Sequence, residues 1–174
     1  MEFKTERLFI RPFNQDDLQD VFHIYHNDAA CQYLLHDKWT HENKQQEFHR
    51  KLKNNVLTKE TPLNLAVVSD GKVIGDLSVW YTEMKDTVEI GYSFSQEASG
   101  KGYATEAVRG LVKKLFTTFE VHRIQANLDA RNEASQKLCE RIGMRKEAHF
   151  IQDFWSKGEW TDSIVYGMLH SDLD

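Results

Sequence analysis

Residues 99–107 read Ser-Gly-Lys-Gly-Tyr-Ala-Thr-Glu-Ala, between a strand-like run and a segment with helical periodicity. One face of that helical segment is apolar and is formed by Val108, Leu111, Val112, Leu115 and Phe119. The start of a helix exposes unpaired backbone N–H groups and the positive end of the helix dipole, and glycines allow close approach to the backbone. The stretch therefore predicts a loop that binds a phosphate-bearing ligand.

Two other phosphate-binding motifs do not fit the same stretch. A P-loop requires glycine at the place of Ser95 and a hydroxyl residue directly after Lys101, where Gly102 stands. A dinucleotide-binding fingerprint requires a small third residue at the place of Thr105, after the first strand of a βαβ unit. Taken alone, the stretch is equally compatible with a glycine-rich turn that binds no ligand.

The rest of the chain alternates between strand-like and helix-like patterns. Strands are predicted at residues 7–13, 63–68, 73–81, 87–95, 122–128, 144–155 and 162–169. Helices are predicted after Asn14 and at 40–56, 103–119 and 132–142, and a short helical piece that is not counted among them at about 29–35. The order β-α-α-β-β-β-α-β-α-β-β indicates an α/β (α+β) protein with one mixed sheet and helices on its faces, in a single domain over residues 1–174.

Composition excludes several other classes of protein. The net charge is −5, which argues against a nucleic-acid partner. Because no apolar run approaches the ~20 residues that cross a bilayer, no membrane partner is expected. Cys31 and Cys139 lie far apart, so neither a disulfide framework nor a metal site is indicated, and we expect a cytoplasmic location.

Four separated stretches together resemble the GNAT acetyltransferase superfamily. Residues 100–107 resemble its acetyl-CoA loop, Gln/Arg-x-x-Gly-x-Gly/Ala: Gly102 and Ala104 match the last two fixed positions, and Ser99 departs from the first. Residues 132–144 resemble the second signature of the superfamily. Residues 5–13 and 158–162 resemble the ribosomal-protein (alanine/serine) N-acetyltransferase subgroup.

The resemblance implies a three-layer α/β/α fold with splayed central strands, one of them bulged at residues 89–95; the alternative for these residues is a regular strand without a bulge. It also implies transfer of an acetyl group from acetyl-CoA to a primary amine without a covalent enzyme intermediate. A protein or peptide N-terminal α-amine is the leading acceptor, and a polyamine or an amino-antibiotic is the alternative. A non-catalytic acetyl-CoA sensor is an alternative of a different class. A homodimer is a further expectation from the resemblance.

The resemblance also implies which residues contact the cofactor. They are Ser93, Phe94, Ser95, Gly100, Lys101, Gly102, Tyr103, Ala104, Thr105, Asn132 and Lys137. We expect a backbone donor for the thioester oxygen near residues 93–95. Asn132 is expected to bond the pantetheine amide, to act as a plain helix cap, or both. Lys101 and Lys137 are interpreted either as phosphate contacts or as solvated lysines.

Two residues are predicted to carry the proton transfers. Glu89 is the candidate base, acting through water, and the alternative is a surface glutamate in a cross-strand ion pair. Ser135 is the candidate acid on a helix face shared with Cys139; the alternative is a hydroxyl bonded back to its own helix. Many superfamily members have a tyrosine where Cys139 stands, and we interpret Cys139 as a small buried hydrophobe.

Overall fold

The computed structural model describes residues 1–173, in which eight strands form one mixed sheet. The strands are β1 (Phe3–Lys4), β2 (Phe9–Pro12), β3 (Leu63–Ser69), β4 (Lys72–Tyr81), β5 (Thr87–Phe94), β6 (Arg123–Asp129), β7 (Arg145–Ser156) and β8 (Glu159–Leu169). Their spatial order is β1-β2-β3-β4-β5-β6-β8-β7. Every neighbouring pair is antiparallel except β5 and β6, which are parallel. The predicted mixed sheet is confirmed.

Five helices cover the two faces of the sheet. They are α1 (Leu18–Tyr25), α2 (Asp28–Cys31), α3 (Lys44–Lys53), α4 (Tyr103–Thr118) and α5 (Glu133–Arg141). Helices α1 to α3 bury their apolar residues in one cluster, together with Ala66 and Val73 of the sheet. Helices α4 and α5 bury theirs in the larger cluster on the opposite face. The three-layer α/β/α arrangement is thus as the resemblance implied.

Local signals in the sequence account for several element ends. The side chain of Asn14 accepts a hydrogen bond from the backbone of Asp16 and caps the entry to α1 through a short 3-10 turn. Asp70 and Gly71 both have positive φ, as the tight β3–β4 hairpin requires. Gly143 ends α5 with φ +91°.

Other element ends differ from the sequence prediction. The first long strand covers only Phe9–Pro12, because the Arg7 backbone and side chain bond Glu106 of α4 instead of joining the sheet. The short strand β1 precedes it and was not predicted. Helix α2 ends at Cys31, and α3 begins four residues later than expected, because Thr40 and Asn43 bond each other in a turn. Strand β8 begins three residues earlier than predicted, since the hairpin pairing continues to Ser156 and Glu159.

The sheet splits along the boundary between β5 and β6. Their pairing runs only from Thr87 to Glu89, after which β6 follows β8 and β5 follows β4. The predicted splay is therefore confirmed. The predicted bulge in residues 89–95 is wrong, because β5 keeps an unbroken register with β4 from Val88 to Phe94. The split thus arises from β6 turning away while β5 stays regular.

Within residues 1–173 no helix is long and apolar enough to cross a membrane. The same residues contain no group of three or more histidine, cysteine or acidic side chains placed to hold a metal ion.

Candidate functional site

A cavity of about 1090 Å³ occupies the split in the sheet. Its walls come from both faces: Tyr33 and Leu34 lie beyond α2 on one side, and Ser135 and Leu138 belong to α5 on the other. Between them lie the end of β5, the loop before α4 and one side of α4. The cavity therefore passes through the sheet, and two ligands can meet in it from opposite faces.

The loop at the start of α4 presents a row of free backbone donors to this cavity. Among the described residues, the six N–H groups from Gly100 to Thr105 have no protein acceptor, and the first hydrogen bond of the helix runs from Glu106 N–H to the Gly102 carbonyl. Gly102 has a φ of +79°, and this conformation directs the chain into the helix. Residues with a side chain rarely adopt such a φ. Convergent N–H groups at a helix start bind phosphate groups.

Arg7, which is part of the cavity wall, holds this loop in place. Its Nη1 donates to the Lys101 carbonyl at 2.9 Å, and its Nε donates to Glu106 at 2.7 Å. The guanidinium also lies over the Tyr103 ring, 4.6 Å from its centroid. The side chain of Tyr103 therefore serves the loop as a support for Arg7 rather than as a wall of the cavity.

The edge of β5 that faces the split carries further free donors. Ser95 N–H donates to the Ile74 carbonyl of β4 at 2.8 Å. Because N–H groups alternate in direction along an antiparallel strand, Ser93 also faces β4, and the N–H groups of Tyr92 and Phe94 point to the opposite edge. Within residues 1–173, no strand pairs with that edge past Glu89. Among residues 93–95, Phe94 is the one whose N–H group faces this edge; the donor role expected for this segment stays a prediction.

Three side chains of β5 and α5 form a hydroxyl and thiol cluster at the α5 wall. The Tyr92 phenolic oxygen lies 2.6 Å from Ser135 Oγ and 3.3 Å from Cys139 Sγ. Burial raises the pKa of Tyr92 and that of the Cys139 thiol, so both stay protonated at neutral pH. Either hydroxyl of the Tyr92–Ser135 pair can be the donor. Ser135 therefore bonds Tyr92, in place of the return bond to its own helix that the sequence left open.

Glu89 lies where β5 and β6 separate. Its Oε2 accepts a hydrogen bond from Gln125 Nε2 of β6 at 2.8 Å, so its cross-strand partner is a neutral amide. Burial raises the pKa of Glu89, and the bond from Gln125 only partly opposes this. By strand alternation its side chain lies on the opposite face of β5 from Tyr92. It is not part of the cavity wall, so its contact with an acceptor amine would require a water molecule.

The structure brings most of the residues predicted from sequence to this one cavity. Its wall includes Ser93, Phe94, Ser95, Gly100, Gly102, Ala104, Thr105, Asn132 and Ser135. Asn132 also caps α5, since its Oδ1 accepts from Ser135 N–H at 3.1 Å. Lys101, Tyr103 and Lys137 do not line the cavity, and Lys137 faces Glu133 on an exposed side of α5. The roles of all these residues remain predictions.

Sequence reasoning did not select several residues of the cavity wall, and Tyr92, Arg109 and Arg141 are the ones with chemical consequences. Tyr92 lies on the same face of β5 as the buried Val88 and Ile90, so its position indicates a core side chain rather than a reactive one. Arg109 and Arg141 stand on the polar faces of their helices, where arginine is ordinary. The one sequence signal for Arg109 is its spacing: it stands four residues after Thr105, so the two side chains are neighbours on the same face of α4.

Comparison with known proteins identifies the family. The model of the acetyltransferase (GNAT) domain matches residues 7–145. A solved GNAT-family acetyltransferase from Bacillus anthracis superimposes with a TM-score of 0.88 at 28% identity, over 98% of this chain and 99% of that one. The chain belongs to the GNAT acetyltransferase family and is an N-acetyltransferase. The sensor alternative is therefore set aside.

Two further similarities involve proteins with different acceptors. The [ribosomal protein uS5]-alanine N-acetyltransferase of Escherichia coli is 31% identical over 83 residues, which is 48% of this chain and 43% of that one. The spermidine N-acetyltransferase of Vibrio cholerae, solved with CoA and spermine, gives a TM-score of 0.80 at 20% identity, over 95% and 97% of the two chains. The second likeness concerns the fold alone.

The acetyl donor of the GNAT fold is acetyl-CoA, and the cavity fits it. The free N–H groups of residues 100–105 suit its diphosphate. The unpaired edge of β5 can receive the amide groups of its pantetheine arm as a strand would. When bound, the cofactor supplies a thioester, whose carbonyl carbon is open to attack by a neutral amine.

Proposed function

We propose that the protein acetylates the N-terminal α-amine of a protein or peptide, with acetyl-CoA as the donor. The observation that carries this proposal is the cavity through the split sheet, which is open to both faces. The donor occupies the α4 and α5 side, and the acceptor enters from the side of Tyr33 and Leu34. Direct attack then needs only close placement of the two reactants.

The side chains around the split supply the proton transfers. In this proposal Phe94 N–H, which faces the split edge of β5, donates to the thioester oxygen as negative charge develops on it. The Tyr92–Ser135 pair offers one hydroxyl proton to the departing thiolate, because the other proton of the pair joins the two oxygens. The proton that the amine loses passes through water to Glu89 or to solvent. The products are the acetylated amine and free CoA thiol, and exchange with solvent returns a proton to the hydroxyl pair and removes the one taken up by Glu89.

Two considerations favour an α-amine over a polyamine. An α-amine has an ordinary pKa of about 7.7–8.0, so roughly a tenth is neutral at pH 7, whereas an alkyl amine near 10.4 is almost wholly charged. A weak base such as Glu89 acting through water suffices for the α-amine.

The second consideration is the charge of the cavity wall. Its carboxylates are Glu6 and Glu106, and Glu106 already pairs with Arg7. On the acceptor side the wall residues are Ala29, Ala30, Tyr33 and Leu34, which carry no carboxylate to attract a polycation.

The test is the rate of CoA release with a panel of amines at pH 7. Short peptides with a small, free N-terminal residue should give a higher kcat/KM than spermidine, and the same peptides with a blocked N-terminus but a free lysine should be inactive. A spermidine value tenfold above that of the best peptide would assign the enzyme to small amines. Absence of CoA release with every amine would contradict the proposed function itself.

A further inference from the structure

The eight arginines of the chain divide sharply by their partners. Six of them lie within 4 Å of a carboxylate, namely Arg7, Arg11, Arg50, Arg123, Arg131 and Arg145. Among the described residues, Arg109 and Arg141 have no such partner, and both line the cavity. In a chain with 27 acidic and 22 basic residues, two unpaired arginines in one cavity wall indicate a site for an anion.

Both arginines are held in place by neutral contacts. Arg109 Nη2 donates to the Arg141 carbonyl at 2.8 Å, at the last residue of α5. Arg141 Nε donates to Thr105 Oγ1 at 3.3 Å, at the edge of the loop of free N–H groups. Each contact uses a single nitrogen of its guanidinium group and leaves other donors free. The two positive groups are thus oriented toward the same end of the cavity before a ligand arrives.

Their distance from the loop separates them from the diphosphate site. Thr105, Arg109 and Lys113 follow each other at intervals of four residues, so they form one ridge of α4 along the cavity. A step of four residues corresponds to about 6 Å along a helix axis. A ligand whose diphosphate is bound by the N–H groups of residues 100–105 would therefore meet Arg109 with a second anionic group, about one helical turn further along.

CoA carries such a second group, a phosphate on the 3′ oxygen of its ribose, one sugar ring from the diphosphate. A phosphate monoester bears close to two negative charges at neutral pH and offers three acceptor oxygens to arginine. Given the proposed donor, we propose that Arg109 and Arg141, with Lys113 beside them, form a subsite for the 3′-phosphate of CoA. The subsite selects CoA over its 3′-dephospho form.

Calorimetric titration with CoA and with 3′-dephospho-CoA tests this subsite in the unaltered enzyme. Loss of a charge-assisted contact to a phosphate should weaken binding by about tenfold or more, and the difference should shrink as salt is added. Equal affinity for the two ligands would overturn the subsite and leave the proposed function intact. Failure of both ligands to bind would contradict the proposed function instead.

Two substitutions assign the effect to the arginines. In Arg109→Gln and in Arg141→Gln, the affinity for CoA should fall toward that for 3′-dephospho-CoA, while the affinity for the latter stays near the wild-type value. Arg50→Gln is the matched control, because it removes the same charge from an exposed position on α3 outside the cavity. Equal weakening of both ligands would show that the arginines act on the diphosphate, and would overturn the assignment.

Discussion

Tyr92 changes how the chemistry at Ser135 is understood. Cys139 stands on α5 where many superfamily members have a tyrosine, and the Tyr92 hydroxyl reaches the space beside its Sγ from strand β5. In this chain a tyrosine hydroxyl therefore reaches this position from strand β5, whereas in those superfamily members the tyrosine stands on the helix. Because burial keeps the phenol protonated, Tyr92 can donate to Ser135 and leave the serine proton free to face the cavity.

Removal of either hydroxyl should slow the chemical step. We expect Tyr92→Phe and Ser135→Ala each to lower kcat by at least about tenfold with little change in affinity for acetyl-CoA, since the pair acts on the leaving thiolate. The double variant should be little worse than either single variant, because the two hydroxyls act as one unit. Steady-state kinetics and calorimetric titration measure both quantities.

Cys139→Ala is the control for this pair. The thiol is fully buried and its pKa is raised by burial, so its removal should leave kcat nearly unchanged. If Cys139→Ala proves more damaging than Ser135→Ala, the acid has been assigned to the wrong residue.

Helix α4 links cofactor binding to the rest of the molecule. Its buried face packs in the larger core cluster, and its first turn is fixed by Glu106, which accepts bonds from Thr5 and from Arg7. The free N–H groups before that turn are therefore held in position without a ligand. The arrangement depends on Gly102, whose positive φ turns the chain into the helix.

Substitution of Gly102 should abolish the stabilisation that the cofactor provides. At 100 times its dissociation constant a ligand adds about 2.7 kcal/mol to the free energy of unfolding. Gly102→Val should lose most of this shift, because its side chain opposes φ +79° and its Cβ would lie 3.3 Å from Arg7 Nη2. Thermal melts with and without acetyl-CoA measure the shift.

Gly71→Val supplies the matched control for this experiment. Gly71 has a similar φ of +78° in the β3–β4 turn, outside the cavity. This variant should melt earlier than the wild type and still show the full shift with acetyl-CoA. A wild-type protein that ignores acetyl-CoA in the melt would contradict the proposed donor.

At the scale of the whole molecule, the split sheet lowers the free energy of unfolding at neutral pH, because it encloses the Glu89 carboxylate. The carboxylate is partly enclosed at the apex of the split and is bonded by an amide rather than by a cation. Its pKa is higher in the folded protein than in the unfolded chain, so the folded state is favoured at low pH. That contribution is lost as the pH rises through the raised pKa.

Glu89→Gln should therefore increase stability while it lowers activity. At pH 7 the variant should have a larger free energy of unfolding than the wild type, and the difference should shrink below about pH 4.3, where the glutamate is mostly protonated. The variant should also lose the acidic limb of the pH–rate profile. Denaturant titrations at the two pH values and a pH series of kcat/KM measure these effects.

Glu83→Gln, an exposed position in the β4–β5 turn, controls for the simple loss of a negative charge. It should change neither stability nor the pH profile. If Glu89→Gln is less stable than the wild type at pH 7, burial is not the dominant influence on this carboxylate.

Much of the fold can be predicted from the sequence, because the residues that end its helices and strands act locally. Asn14, Asp70-Gly71 and Gly143 act through the conformation of their own few residues, so they mark the same ends in the sequence and in the structure. The element ends that were mispredicted depend on distant partners. Arg7 leaves the first strand because Glu106, 99 residues away, bonds its backbone and side chain.

The sequence by itself determined the family, the glycine loop, the splay of the central strands and the placement of Ser135 on the inward face of α5. The glycine loop and the face of Ser135 follow from periodicity and from backbone conformations that few residue types adopt, whereas the family and the splay follow from the resemblance to the GNAT superfamily. Only the tertiary structure decided that β5 stays regular, that Tyr92 meets Ser135, and that Arg109 lies beside Arg141. The members of these pairs are 43 and 32 residues apart in sequence. Their contacts arise only when the packing of α4 and α5 on the split sheet fixes the directions of their side chains.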